Sequence, residues 1–139
     1  MEGSTLVTGA IEPEEKLEAL ADADVFVSSS EAENFGFSVF EAMASRVPVV
    51  VSETIDYAGQ IADAGAGFVV PRKTQSFTDA IVRLLEDPAL RKAKGMNGMR
   101  LAEAYSLAHT ASKLERTIHS IVNSRPLDAD LTNPVSLRG

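Results

Sequence analysis

The 139-residue sequence contains no cysteine and no tryptophan, and only 6% of its residues are aromatic. Without cysteine, the chain can form no disulfide, no thiolate nucleophile and no thiolate metal site. Basic residues are also scarce, since 13 lysines and arginines are outnumbered by 20 acidic residues, and the formal net charge is -7. Because the basic residues do not cluster either, nothing favours binding to nucleic-acid phosphates or to an anionic membrane. We therefore expect no nucleic-acid partner.

Long hydrophobic runs are absent as well. No apolar run reaches the roughly 18 residues that a membrane-spanning helix needs. The beginning of the sequence lacks the basic start and apolar core of a secretory leader. His109 and His119 have no neighbours at metal-ligand spacing, so no metal site is expected. We expect a cytoplasmic protein without a membrane span, and peripheral membrane contact of a larger protein stays open.

The residues that are present predict one α/β domain. The composition, 45% hydrophobic and 24% charged, is typical of a globular protein. Strands are predicted at residues 5–11, 24–30, 48–52 and 67–71, and helices at 12–23, 38–45 and 56–65, from Ser76, and after Asp87-Pro88. Alternation of strands and helices, with near-continuous apolar strands such as Val49-Val50-Val51, is typical of a parallel sheet buried on both faces. The sequence therefore predicts about four parallel strands with helices on both faces.

The end of the sequence changes character. Residues 107–123 carry a further stripe of apolar residues at helical spacing. Residues 124–139 have two prolines and no periodicity, which predicts a mobile tail. The expected domain therefore covers residues 1–123.

One segment, "SSSEAENFGFSVFEAMASRVPVVVSE" at residues 28–53, combines polar, glycine and acidic residues between two predicted strands. In an open α/β sheet, ligands bind beyond the carboxyl ends of the strands, where loops lead into helix starts. Gly36 permits a tight turn or a close approach of the backbone. The helix predicted to begin near Ser38 presents free N–H groups and the positive end of its dipole, which suit a phosphate. The segment is therefore a candidate anion site.

Glu41 has two interpretations from the residues alone. Ser38 and Glu41 fit a capping box, in which the serine accepts from a helical amide and the glutamate reaches back to the cap. Asn34 and Gly36 would then be turn residues, and Glu33 a solvated acid. Alternatively, Glu33 and Glu41 are the acidic groups of a ligand site built on the helix start. Both interpretations stay open at this point.

The order of three short motifs carries a resemblance to a known family. Glu33-Asn34-Phe35-Gly36, Glu41-Ala42-Met43-Ala44 and Val47-Pro48-Val49-Val50 resemble the E-x7-E segment of retaining GT-B glycosyltransferases, the glycosyltransferase group 1 family. The likeness extends from about Val7 to Asn123. It implies a Rossmann-like, C-terminal donor-binding domain. It also implies transfer of a hexosyl group, with retention, from a UDP-, GDP- or ADP-sugar, and no separate cofactor.

The resemblance also implies roles for single residues. Glu33 would bind hydroxyls of the donor sugar at the catalytic centre, without acting as the base, and Glu41 would bind the ribose. Ile11, after the first predicted strand, would border the base. The remaining donor-binding positions are Asn34, Phe35, Gly36, Phe37, Ser38 and Val39, with the amides from Phe35 onward receiving the sugar and the diphosphate. A carboxylate can accept two hydroxyl protons, so paired acids suit a polyhydroxylated ligand.

Several features depart from the family pattern or bear on the alternative functions. Arg46 stands where the family usually has glycine, and Lys16, Arg72 and Lys73 are interpreted as surface charges. The family has two Rossmann-like domains with the active site between them, and most of such a protein, including the acceptor domain, lies outside this sequence. We expect that acceptor domain to be a partner, and the chain alone to be inactive. The alternatives are a non-catalytic nucleotide-sugar-binding or structural fragment, and another GT-B enzyme such as a nucleotide-sugar epimerase.

Overall fold

The computed structural model describes residues 5–31, 36–106, 114–116 and 118–119, and within them strands and helices alternate. The elements are α1 (Pro13–Asp22), β1 (Phe26–Ser28), α2 (Phe37–Ala44), β2 (Val49–Ser52), α3 (Ala58–Ala64), β3 (Gly67–Val70), α4 (Thr74–Glu86) and α5 (Pro88–Ala104). This order supports an α/β class, as the sequence predicts.

The described strands form one parallel sheet in the order β1-β2-β3. Phe26 pairs with Val49 across the first pair of strands, and Val49 pairs with Gly67 across the second. All four residues of β2 are buried, because this central strand has a neighbour on each side and helices above and below. The continuous valine run is the sequence signature of such a strand.

Helices cover both faces of this sheet. Val49 and Val51 belong to the larger apolar cluster, which includes residues of α2, α3 and α5 and Leu20 of α1. Val50 points the other way and packs with Ala80 and Leu84 of α4. Alternate residues of a strand face opposite sides of a sheet, so one strand anchors both clusters. The prediction of helices on both faces is confirmed.

The predicted first strand, residues 5–11, is wrong. These residues form no regular element, and none pairs with the sheet that the described residues build. Leu6 and Val7 are 85% and 88% exposed. A β-strand needs a neighbour for its backbone N–H and C=O groups, and this segment has no strand beside it in the described part of the chain. Within the described residues the sheet therefore has three strands rather than about four.

Several helix ends differ from their predicted positions. α2 begins at Phe37, with Gly36 rather than Ser38 as its N-cap, and α3 has Tyr57 rather than Asp56 as its N-cap. α4 begins at Thr74, ahead of the predicted start at Ser76. Local polar residues suggested these starts, and each observed start lies one or two residues away from its prediction.

Other predicted ends are confirmed. Asp87 caps α5 by accepting from the amide of Leu90 at 2.9 Å, and Pro88 takes the first helical position. Gly65 ends α3 in a left-handed conformation with φ of 65°, which glycine adopts without steric cost.

The later predictions fall mostly outside the described residues. Of the helix predicted at 107–123, residues 114–116 and 118–119 are described and are helical. The predicted tail, 124–139, lies outside the described residues. Among the helices that the structure describes, none is both long enough and apolar enough to cross a membrane.

Candidate functional site

The candidate site lies where the chain leaves β1 and enters α2. β1 ends at Ser28 and the central strand β2 ends at Ser52, so both carboxyl ends meet at one edge of the sheet. This edge is where open α/β sheets bind ligands. Of the predicted site residues, Glu33, Asn34 and Phe35 lie outside the described residues. Their assignments stay predictions.

The start of α2 is built around Gly36. Its carbonyl accepts from the amides of Val39 and Phe40, at 2.9 and 3.1 Å. No side chain caps the helix, and Ser38 lies inside it as an exposed residue. The predicted capping box between Ser38 and Glu41 is therefore wrong. The first helical hydrogen bonds go to the Gly36 carbonyl, which puts the helix start one residue earlier than predicted.

Glu41 has a different partner, far away in the sequence. Its Oε1 accepts from Nζ of Lys16 at 2.8 Å, and the two side chains are 34% and 37% exposed. Its other oxygen, Oε2, is shielded from solvent and has no hydrogen-bond partner among the described residues. A buried acceptor without a partner costs roughly 1–3 kcal/mol, or more when charged. The carboxylate is thus anchored by one oxygen, and its other oxygen lacks a partner among the described residues.

The N-terminal end of α1 presents Lys16 to this carboxylate. Glu12 and Glu15 form a capping box there, with the Glu12 amide donating to Oε2 of Glu15 at 3.1 Å. Leu20, one turn after Lys16 on the same side of the helix, is buried in the larger cluster. Lys16, interpreted from the sequence as a surface charge, is partly exposed, with its ammonium group paired to α2. Ile11 is 39% exposed and directly precedes the helix cap, which puts it at the same end of α1.

The other predicted donor-binding residues occupy distinct positions on α2. Gly36 is buried, whereas Phe37 at the first helical position is 68% exposed. The Val39 side chain is fully buried, and its amide already donates to Gly36. The structure brings Gly36, Ser38 and Glu41 onto one helix, and their contacts with a donor stay predictions.

A group of hydroxyls at the strand ends was not assigned from the sequence. Oγ of Ser52, a fully buried residue, lies 2.8 Å from Oγ1 of Thr54. The Thr54 hydroxyl donates in turn to the carbonyl of Ser30 at 3.3 Å, and Ser28 donates to the Ser30 hydroxyl at 3.4 Å. These contacts tie the segments after β1 and β2 together. The signal in the sequence was that both apolar strands end in small hydroxyl residues.

The remaining surroundings of α2 hold the helix in place. The Phe40 ring packs against Tyr57 and Tyr105, with ring centroids 5.1 and 5.0 Å apart. Burial raises the pKa of Tyr105, so its hydroxyl stays neutral here. Arg46, just past the helix, has a left-handed φ of 64°, a conformation that glycine adopts more readily than other residues.

The groups at the candidate site are polar or charged. No group of three or more metal-ligating side chains comes together within the described ranges. The site instead offers a carboxylate oxygen, a lysine ammonium, hydroxyls and the start of an eight-residue helix. These groups suit a ligand that has both hydroxyls and negative charge.

The chain resembles known glycosyltransferases along most of its described length. It is 36% identical over 100 residues to the lipopolysaccharide core biosynthesis mannosyltransferase LpcC of Rhizobium leguminosarum bv. viciae, covering 70% of this chain and 28% of that protein. It is 29% identical over 118 residues to the phosphatidyl-myo-inositol mannosyltransferase of Mycobacterium leprae, covering 84% and 32%. The chain thus spans less than a third of these relatives.

A solved structure and a family profile agree with these relatives. Sucrose-phosphate synthase from Thermosynechococcus elongatus has a TM-score of 0.68 and 28% sequence identity, over 82% of this chain and 30% of that one. The fold is that of a fragment of a GT-B glycosyltransferase. The profile described as "Glycosyl transferases group 1" matches residues 1–100. The chain therefore belongs to the glycosyl transferases group 1 family.

Proposed function

We propose that this chain is the donor-binding part of a retaining glycosyltransferase that takes a hexosyl group from a nucleotide-diphosphate sugar. Two relatives bear the names of mannosyltransferases, which makes a mannosyl donor the first choice to test. Because the chain spans less than a third of these relatives, acceptor binding and turnover are assigned to a longer protein.

The observation that carries this proposal is the Oε2 atom of Glu41, shielded from solvent and without a partner among the described residues. A ribose hydroxyl that donates to it would satisfy a charged acceptor that is otherwise costly to bury. A hydrogen bond to a charged group contributes roughly 1.5–3 kcal/mol, or about ten- to a hundredfold in affinity. A carboxylate with one shielded oxygen that lacks a partner among the described residues is better explained by a hydroxyl-bearing ligand than by a structural cap.

The start of α2 supports binding of the diphosphate. Helix N-termini stabilise anions through their amides and dipole, and Ser38 adds an exposed hydroxyl there. Glu33 would bind hydroxyls of the transferred sugar. Transfer would break the bond from the anomeric carbon to the diphosphate oxygen and form a bond to an acceptor hydroxyl oxygen on the same face. The leaving diphosphate takes the electron pair, and the proton of the acceptor hydroxyl passes to the leaving diphosphate.

The direct test is calorimetric titration of the 139-residue chain with GDP-mannose and UDP-glucose, beside thermal unfolding with the same ligands. Ligand at about a hundred times its dissociation constant should raise the unfolding free energy by about 2.7 kcal/mol. If neither sugar nucleotide binds at millimolar concentration, the proposal that this chain carries a donor site is contradicted.

Glu41→Gln tests the carboxylate itself. The substitution keeps the size of the side chain but removes its charge, so we expect sugar-nucleotide affinity to fall at least about tenfold. The unfolding free energy should change by less than about 1 kcal/mol, because the pair with Lys16 is partly exposed. Calorimetry and chemical denaturation measure the two effects.

The matched control is Glu103→Gln, which makes the same change at an exposed position in the last turn of α5. It should bind like the parent. If Glu41→Gln also binds like the parent, then Glu41 is not a ligand group.

A further inference from the structure

The ion pair between Lys16 and Glu41 joins two helices at the candidate site. Lys16 belongs to α1 and Glu41 to α2, and Nζ lies 2.8 Å from Oε1. The bond uses one oxygen of the carboxylate, and the shielded oxygen Oε2 is left to a ligand. Resting on the function proposed above, we infer that Lys16 is a positioning residue. It holds the Glu41 carboxylate in the orientation that receives a hydroxyl of the sugar nucleotide.

The local structure fixes where the lysine can reach. The capping box of Glu12 and Glu15, with Pro13 at the first helical position, defines the start of α1. Leu20, on the same side of α1, is only 8% exposed and is packed in the larger cluster. The helix therefore cannot rotate Lys16 away from α2 without exposing Leu20. The backbone of α1 at Lys16 is therefore held in place beside Glu41.

The ion pair with Lys16 orients the Glu41 carboxylate. A free glutamate side chain samples several rotamers, and ordering one such side chain costs about 0.5–1.5 kcal/mol. Lys16 has already ordered it before a ligand binds, so the ligand avoids that cost. Removing the lysine should weaken binding by about two- to tenfold, which is that cost expressed as affinity.

The alternative is that Lys16 competes with the ligand for the Glu41 carboxylate. A lysine that neutralises Glu41 could instead occupy the carboxylate and have to leave before a ligand binds. The two cases have opposite signs, because a competing lysine would make its removal strengthen binding. The free Oε2 favours positioning, since the bond to Lys16 takes the other oxygen.

The experiment is titration of the full chain with GDP-mannose and UDP-glucose in a set of variants. Lys16→Met keeps the length of the stem and removes the charge, while Lys16→Arg restores a cation that can pair with Oε1. Lys92→Met removes the same charge from an exposed position on α5 and serves as the control. We expect about two- to tenfold weaker binding for Lys16→Met, with Lys16→Arg close to the parent and Lys92→Met unchanged.

The double variant Lys16→Met/Glu41→Gln separates positioning from a general loss of structure. If Lys16 acts through Glu41, its removal has no further effect on affinity once the carboxylate is gone. An equal loss in both backgrounds, or binding by Lys16→Met as tight as or tighter than the parent, would overturn the inference. Thermal unfolding of each variant checks that it is folded.

The outcomes also separate this inference from the proposed function. If the parent binds neither sugar nucleotide, the donor site itself is wrong, and the role of Lys16 falls with it. If the parent binds, Glu41→Gln weakens binding and Lys16→Met does not, then the donor site stands and only the role of Lys16 is wrong.

Discussion

At its C-terminal end α2 is pressed against α5, whereas at its N-terminal end it faces the segment after β1. Gly95 of α5 lies so close to the carbonyl of Arg46 that a Cβ atom there would overlap it. At the other end, Phe37 is 68% exposed and Glu41 has a shielded oxygen without a partner among the described residues. One end is held by backbone packing, and the other carries the polar groups. A helix anchored at its far end can present its first turns to a ligand in a fixed orientation.

The largest effect on stability is expected from a substitution that disrupts the packed C-terminal end of α2. Gly95→Ala forces a Cβ atom onto the backbone of Arg46, which can move only with the end of α2. Overpacking of this kind costs about 1–3 kcal/mol, and the better helix propensity of alanine offsets up to about 1 kcal/mol of it. We expect a lower unfolding free energy in chemical denaturation.

The matched control is Gly59→Ala in α3, where an added Cβ atom meets nothing within 4 Å. This variant should be unchanged or more stable by up to about 1 kcal/mol. Equal stability of the two variants would mean that the close approach at Gly95 does not constrain α2.

A smaller effect is expected at Arg46. Its φ of 64° is unfavourable for a side chain, at a cost of about 1–2 kcal/mol. Arg46→Gly removes that cost but adds freedom to the unfolded chain, which offsets about 0.4–1 kcal/mol. We expect a gain in unfolding free energy of up to about 1.6 kcal/mol.

Ser45→Gly, one residue earlier, provides the contrast. Ser45 has a φ of -79°, so glycine there only adds freedom and should destabilise by about 0.5–1 kcal/mol. Should Arg46→Gly lose as much stability as Ser45→Gly, the left-handed backbone at Arg46 would not be strained.

Much of the fold could be predicted because local signals and core packing agree. Val49-Val50-Val51 is a central strand in the structure, as the apolar run predicts. Gly65 and Asp87 mark helix ends through their own backbone and side-chain geometry, which does not depend on distant residues. The resemblance was confirmed at the level of the family.

The misses have a common physical cause in contacts that are distant in sequence. Residues 5–11 have β-forming side chains, yet a strand also needs a paired neighbour, and the sequence pattern does not say whether one is present. The Ser38 and Glu41 pair satisfied a local capping rule, but the Glu41 carboxylate pairs with Lys16 on another helix instead. The bond between Lys16 and Glu41 spans 25 residues, so no local pattern could indicate it.

The central claim is that the first turns of α2 receive the nucleotide sugar. The most direct measurement is a titration of the ¹⁵N-labelled chain with GDP-mannose and UDP-glucose, followed by the backbone amide resonances in heteronuclear NMR. We predict that shifts concentrate at Gly36, Ser38, Glu41 and Lys16, while Gly95 in α5 stays unchanged. Binding that shifts α4 and α5 but leaves the start of α2 unaffected would contradict the account.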